Sequence, residues 1–229
     1  MIRLALFDID GTLILSGGAG EKAFGQVFAE VFGVPDANRG VRFAGRTDTA
    51  IVGEVLERHG IPASPANFAR FFAEYPPRLQ AMLHQLQGGP LPGVRELVDG
   101  LARLPGGPLL GLLTGNIRRG AELKLGHYQL WEPFRLGAFA DGRTLRNDVA
   151  AFALEEGRRM LGSDLHPDEI LVIGDTPADI ECGRHIGAQV LAVATGQFPP
   201  ADLEAHRPDV VLRTLAETSP AAVQAGWRH

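Results

Sequence analysis

The chain has 229 residues, 45% of them apolar and 21% charged, with 22 basic against 27 acidic side chains and a formal net charge of −5. At about 150 residues per domain this is one large domain, or one domain carrying a sizeable insertion, and its composition is globular rather than disordered or coiled-coil. The charge excludes a basic footprint for nucleic acid or an acidic membrane, a single cysteine excludes an internal disulfide or cysteine-built zinc site, and no apolar run nears the roughly 18 residues of a membrane span.

The chain opens on a nearly continuous apolar run, residues 2–7, the mark of a strand buried on both faces. The run meets Asp8 too early to be a signal-peptide core, so a cytoplasmic location is expected. Similar runs recur at 108–113, 169–174 and 189–194, with weaker ones at 136–140 and 209–212. Helical patterns lie between them at 117–127, 148–161, 178–186 and 215–225. Strand and helix alternate, which predicts an α/β fold with a parallel sheet covered by helices on both faces.

Residues 20–87 break that alternation. Ala23-Phe24, Val27-Phe28 and Val31-Phe32 form one stripe at helical spacing, and Ile51-Val52 with Val55-Leu56 form a second. Phe68, Phe71, Phe72, Tyr75, Leu79, Met82, Leu83 and Leu86 form a third, with a bend expected at Pro76-Pro77. These aromatics read as core. The turn-rich segments Ser16-Gly17-Gly18-Ala19-Gly20 and Gly88-Gly89-Pro90-Leu91-Pro92 bound the stretch, which marks a helical insertion hinged after the first strand. The expected division is a core of 1–15 and 91–229 and an inserted helical domain of 16–90.

In an open parallel sheet the chemistry gathers at the carboxyl ends of strands, near the point where strand order reverses. The first strand is followed by Asp8-Ile9-Asp10-Gly11-Thr12-Leu13, the 108–113 strand by Thr114-Gly115-Asn116, and the 169–174 strand by Asp175-Thr176-Pro177-Ala178-Asp179. Four carboxylates would converge on one rim, which demands a counter-cation, and an all-oxygen cluster suits Mg²⁺. His59, His84, His127, His166, His185, His206 and His229 show no metal-ligand spacing.

These three segments, in this order, resemble the first, second and fourth motifs of the haloacid dehalogenase (HAD) superfamily, and the insertion resembles that family's small α-helical (C1-type) cap. The resemblance spans essentially the whole chain. It implies a Rossmann-like parallel sheet core with an inserted all-helical cap domain. It also implies Asp8 as nucleophile forming an aspartyl-phosphate, and Asp10 as the acid for the leaving oxygen and then the base for water. Thr114 would bind a phosphoryl oxygen, with Asn116 and the backbone around Gly11 and Gly115 assisting. Mg²⁺ would be held by Asp8, the Asp10 carbonyl and Asp175, with Asp179 orienting or joining that shell. A dehalogenase has no need of an acid at position 10, so Asp10 argues for phosphoryl transfer.

The implied activity is a Mg²⁺-dependent phosphatase acting on a small phosphorylated metabolite, most like the phosphoglycolate phosphatase group. A sugar phosphomutase of the same superfamily and a catalytically idle phospho-ligand-binding relative are the alternatives. No nucleic-acid or membrane partner is expected, and the protein is a monomer or homodimer.

The third motif departs from the family pattern: Asp141 to Asp148 contains no lysine. Arg146 is the preferred replacement, because a guanidinium matches phosphoryl oxygens in a fork. Lys124, which reads as a mid-helix surface residue, is the other candidate. Arg46 could reach the substrate from the insertion, whereas Thr47 and Asp48 read as N-cap and first-turn acid. Taken alone, Thr114-Gly115-Asn116 is a turn and N-cap, and Asp175-Thr176-Pro177 an ordinary helix start. Cys182 reads as a small packed side chain.

Overall fold

The structure is a computed structural model that describes residues 1–227; His229 lies outside the described residues. In chain order the elements are β1 (Leu4–Phe7), β2 (Ile14–Leu15), α1 (Ala19–Phe32), α2 (Asp48–Arg58), α3 (Pro65–Gln85), β3 (Gly89–Pro90), α4 (Val94–Arg103), β4 (Leu109–Leu113), α5 (Arg118–His127) and β5 (Leu136–Ala138). They continue as α6 (Arg146–Leu161), β6 (Ile170–Gly174), α7 (Pro177–His185), β7 (Gln189–Val193), α8 (Pro200–Ala205), β8 (Val210–Leu212) and α9 (Pro220–Ala225). Among the described residues no helix is long and apolar enough to cross a membrane.

Six strands form one parallel sheet in the order β5-β4-β1-β6-β7-β8. The continuous apolar character of β1 follows from its central place. Ala5 and Phe7 enter one core cluster, Leu4 and Leu6 another, and all four are fully buried. Phe7 pairs with Leu112 on one side and Ile173 on the other, so the chain leaves the sheet at Asp8, Thr114 and Asp175 on one common edge. That edge is where strand order reverses, β1 being flanked by strands reached through separate crossovers.

The insertion is helical, as its stripes predict. α1 and α3 join through an aromatic cluster in which Phe71 lies 5.0 Å from Phe24 and 5.2 Å from Phe28 between ring centroids, and Phe43 packs edge-on to Phe24. The two crossings into the insertion are held side by side, because β2 pairs antiparallel with β3. Gly17, at φ +63°, sits where a Cβ would overlap the Gln87 carbonyl, so the turn out of this ribbon is open to glycine alone.

Several expectations need correction. α3 continues as one helix past Pro76-Pro77, where the third stripe is interrupted, because Phe71, Tyr75, Leu79, Met82 and Leu83 are all buried along it. The helix expected over 215–225 is split into a 3₁₀ turn at Leu215–Glu217 and α9, since the Ser219 hydroxyl caps Ala222 N–H and Pro220 starts a new helix. α4 and α8 were not anticipated, although Val94, Leu97, Val98 and Leu101 form a helical stripe buried against the sheet.

Candidate active site

The three loops leaving β1, β4 and β6 meet beneath the insertion in one cavity of about 410 Å³. Asp8, Asp10, Gly11, Thr114, Gly115, Asn116, Arg146, Asp175 and Arg46 all line it, so the structure brings together nearly every residue singled out in the sequence. Asp179 is fully buried just behind the wall.

Asp8 follows directly from the buried end of β1 and is itself buried. One of its oxygens lies 2.9 Å from Nη2 of Arg146. The same Nη2 contacts Asp179, whose other oxygen accepts from the N–H and hydroxyl of Thr176 at 3.0 and 2.7 Å. Thr176 and Asp179 thus form a capping box at the start of α7, with Pro177 in its first turn, so the ordinary helix-start reading also holds there. Both Asp179 oxygens are engaged, one by Arg146 and the other by Thr176. Arg146 is the first residue of α6, which begins two residues earlier than the sequence pattern suggests.

Asp175 accepts a hydrogen bond from the Thr12 hydroxyl at 2.9 Å. A Cβ on Gly11, which sits at φ +86°, or on Gly196 would overlap its carboxylate, so both glycines make room for it. The Thr195 hydroxyl donates to the Gly11 carbonyl at 2.6 Å and fixes that loop. Thr12 figures in the sequence only as part of the first motif, and Thr195 and Gly196 not at all, because each is an ordinary loop residue until the fold closes around Asp175.

Asp8, Asp175 and Asp179 each offer an oxygen within 4.8 Å of the others. Burial raises the pKa of Asp8 to about 6 even though Arg146 pulls it down, and Asp179 and Asp10 push it further up. Asp175 is driven well above the ordinary carboxylate range by burial and by its acidic neighbours. Arg146 stays firmly protonated, because Asp179 and Asp8 outweigh its own burial. Three buried carboxylates against one guanidinium leave a surplus of negative charge on oxygen donors alone. That donor set fits a hard divalent cation such as Mg²⁺.

Asp10 points into the cavity from the other side. One oxygen accepts from Nζ of Lys124 at 2.6 Å and from the Asn116 side-chain amide at 2.8 Å. The same amide donates to the Thr114 hydroxyl at 2.9 Å, and Lys124 donates to the Asn116 carbonyl oxygen at 2.7 Å. Because the Thr114 oxygen accepts from Asn116, its own hydrogen is left for a group in the cavity. Lys124 is therefore no surface lysine. It is buried on α5 with its ammonium at the site, a position that mid-helix spacing alone cannot reveal.

The insertion contributes more than expected. Asp48 is not only a first-turn acid: its carboxylate accepts from Ile117 N–H at 2.8 Å and its N–H donates to the Gly115 carbonyl at 2.7 Å. Burial lifts its pKa to about 6, with Lys124 opposing. Ile117, not Asn116, is the N-cap of α5 and has no side-chain cap of its own; Asp48 and Asp141 take the first two N–H groups instead. Thr47 caps α2 as expected. Arg46 reaches the cavity wall but is paired with Glu54 at 2.6 Å. Cys182 is fully buried and packs against the Asp179 carbonyl.

A parallel sheet with acidic loops converging at its switch point, roofed by an inserted helical cap, defines an HAD-like α/β protein. Comparison with known proteins agrees on this fold. A family model described as HAD-hydrolase-like matches residues 147–218, the segment that carries α6, β6 and α7. The chain is 27% identical over 228 residues to a probable phosphatase, IndB, of Dickeya dadantii, covering 97% of this chain and 94% of that protein. Its fold superposes on CbbY from Rhodobacter sphaeroides in complex with phosphate with a TM-score of 0.73 at 19% identity, covering 95% and 96% of the two chains. A predicted phosphoglycolate phosphatase of Haemophilus somnus gives a TM-score of 0.71 at 18% identity, covering 94% and 96%.

Proposed function

We propose that this protein is a Mg²⁺-dependent phosphatase that hydrolyses a small organic phosphate monoester, phosphoglycolate-like in size, through a phosphorylated Asp8. The observation that carries this reading is the cluster of Asp8, Asp175 and Asp179 oxygens beside Arg146, on the floor of a cavity whose wall holds a second acid, Asp10. The phosphatase and phosphate named for the relatives above support it.

Arg146 holds one Asp8 oxygen and leaves the other to attack phosphorus. Thr114 and the N–H groups near Gly11 and Gly115 receive the phosphoryl oxygens. Asp10 protonates the departing oxygen, then takes a proton from the water that breaks the Asp8–phosphorus bond, releasing phosphate and restoring the Asp8 carboxylate and the protonated Asp10. Asp8, the Asp10 carbonyl and Asp175 would hold a divalent ion, which would supply neutralising charge for the phosphoryl oxygens. Residues 16–90 act as a cap whose closure shuts the cavity to polymers and to bulk water.

On the cap side Phe24, Phe43 and Ile51 face the cavity beside the acids Glu21 and Asp48, and Arg46 is the one cation the cap brings to its lining among the described residues. A carboxylate-bearing substrate such as phosphoglycolate would draw Arg46 away from Glu54. The test is hydrolysis of a panel of phosphate monoesters, with p-nitrophenyl phosphate as reference, in Mg²⁺ and in chelator. Turnover that needs the metal and disappears in Asp8→Asn supports the reading. A phosphoryl group that discharges onto a hexose phosphate faster than onto water would replace it with a mutase, and no turnover of any ester would leave a binding protein.

A further inference from the structure

Two cations face the cavity from different elements, and they serve different acids. Arg146 contacts Asp8 and Asp179, whereas Lys124 contacts Asp10 and Asn116. We propose that Lys124 is a positioning residue for Asp10, one that fixes which carboxylate oxygen exchanges the proton with the leaving group and with water. The proposal rests on the phosphatase reading above.

Asp10 sits on a loop, and its side chain is 43% exposed, while that of Lys124 is 6% exposed. A carboxylate this open has rotamers that turn it toward solvent, and general acid–base catalysis fails when the group is turned away. Lys124 and Asn116 both donate to Oδ2 of Asp10, at 2.6 and 2.8 Å. An oxygen that already accepts two hydrogen bonds is a poor place for a proton, so the proton is carried on Oδ1. Asn116 in turn is tied to Lys124 and to the Thr114 hydroxyl, which closes the network between the acid and the phosphoryl-binding group.

The surroundings confirm that Lys124 is not there for packing. Burying an ammonium is costly unless it is paired and hydrogen-bonded, and its two acceptors are both site residues. Gly20 of the cap lies directly against the ammonium, where a Cβ would come within 3.5 Å of Nζ. The cap thereby covers the Lys124 ammonium, while Asp10 stays open to the cavity.

In the first step the Asp8–phosphorus bond forms, the bond from phosphorus to the leaving oxygen breaks, and the proton on Asp10 Oδ1 passes to that oxygen. In the second, the water–phosphorus bond forms, the Asp8–phosphorus bond breaks, and the proton from water returns to Oδ1. Lys124 keeps its own protons throughout.

The test uses two esters that differ in their need for an acid. p-Nitrophenolate leaves without help, whereas an alkoxide does not. In Lys124→Met, kcat for an alkyl phosphate should fall about 100-fold or more, in line with what a general acid contributes. Phosphorylation of Asp8 by p-nitrophenyl phosphate should change less than about 3-fold, an order of magnitude inside that loss. Because the return step also needs Asp10, the variant should show a burst of p-nitrophenol close to one per enzyme, followed by slow turnover. Lys124→Arg, which restores a cationic donor, should recover much of the alkyl phosphate rate.

Equal losses on both esters without a burst, or unchanged kinetics, would overturn the proposal while leaving the phosphatase reading intact. A wild-type chain that turns over neither ester overturns both. Thermal melting accompanies each measurement. If the methionine variant is unfolded, the same comparison is made in Lys124→Gln, which keeps one donor, and the same outcomes decide.

Discussion

Removing divalent cations should make the stability of this protein fall as pH rises from about 4 to about 7. The cause is Asp8, whose carboxyl titrates near 6 in the folded chain against 3.8 when unfolded. A group that binds its proton more tightly when folded favours the folded state at low pH, and that advantage is lost as pH climbs through the folded pKa. The gap of about two pKa units corresponds to about 3 kcal/mol. For a chain of this size each kcal/mol moves Tm by about 2–4 °C, so Asp8 alone accounts for a drop of about 6–12 °C. Asp175, also raised, acts in the same direction. A bound cation removes the repulsion that burial creates, so the decline should vanish with millimolar Mg²⁺. The assay is thermal or urea unfolding across this pH range, in chelator and in Mg²⁺, for the wild type and Asp8→Asn. Parallel profiles with and without Mg²⁺, or an undiminished decline in Asp8→Asn, would refute the electrostatic account of the cluster.

Arg146→Met should cost about 3–5 kcal/mol in chelator, because it removes the buried counter-charge of Asp8 and Asp179, and part of that loss should return on adding Mg²⁺. Asp48→Asn keeps an acceptor for Ile117 N–H but removes a carboxyl whose pKa is raised to about 6. Its Tm relative to wild type should therefore be higher at pH 7.5 than at about pH 5, and a difference that runs the other way would contradict the burial argument. Phe71→Ala, at the centre of the aromatic cluster between α1 and α3, should lower stability by about 3–5 kcal/mol in urea unfolding.

The parallel sheet could be anticipated to within a residue or two because its central strands are buried on both faces and leave an apolar run that little else produces. The acidic motifs were equally plain, since two carboxylates directly after such a run have no place in a core. What sequence could not supply was contact across long separations. Lys124 lies 114 positions from Asp10, and Asp48 lies 69 from Ile117, and neither partner leaves a local mark. The N-cap of α5 was misplaced for the same reason: periodicity locates a helix, but its orphan N–H groups can be satisfied by any acid the fold delivers.

The paired residues of β2 and β3 place the entry and exit of the insertion one strand spacing apart, about 4.8 Å. A segment grafted through two such adjacent strands can be exchanged without disturbing the sheet that accepts it. The whole of the substrate-facing roof is then a replaceable module, and chimeras that cross over at Leu15 and Gly89 should keep the chemistry of the floor while taking the selectivity of the donor.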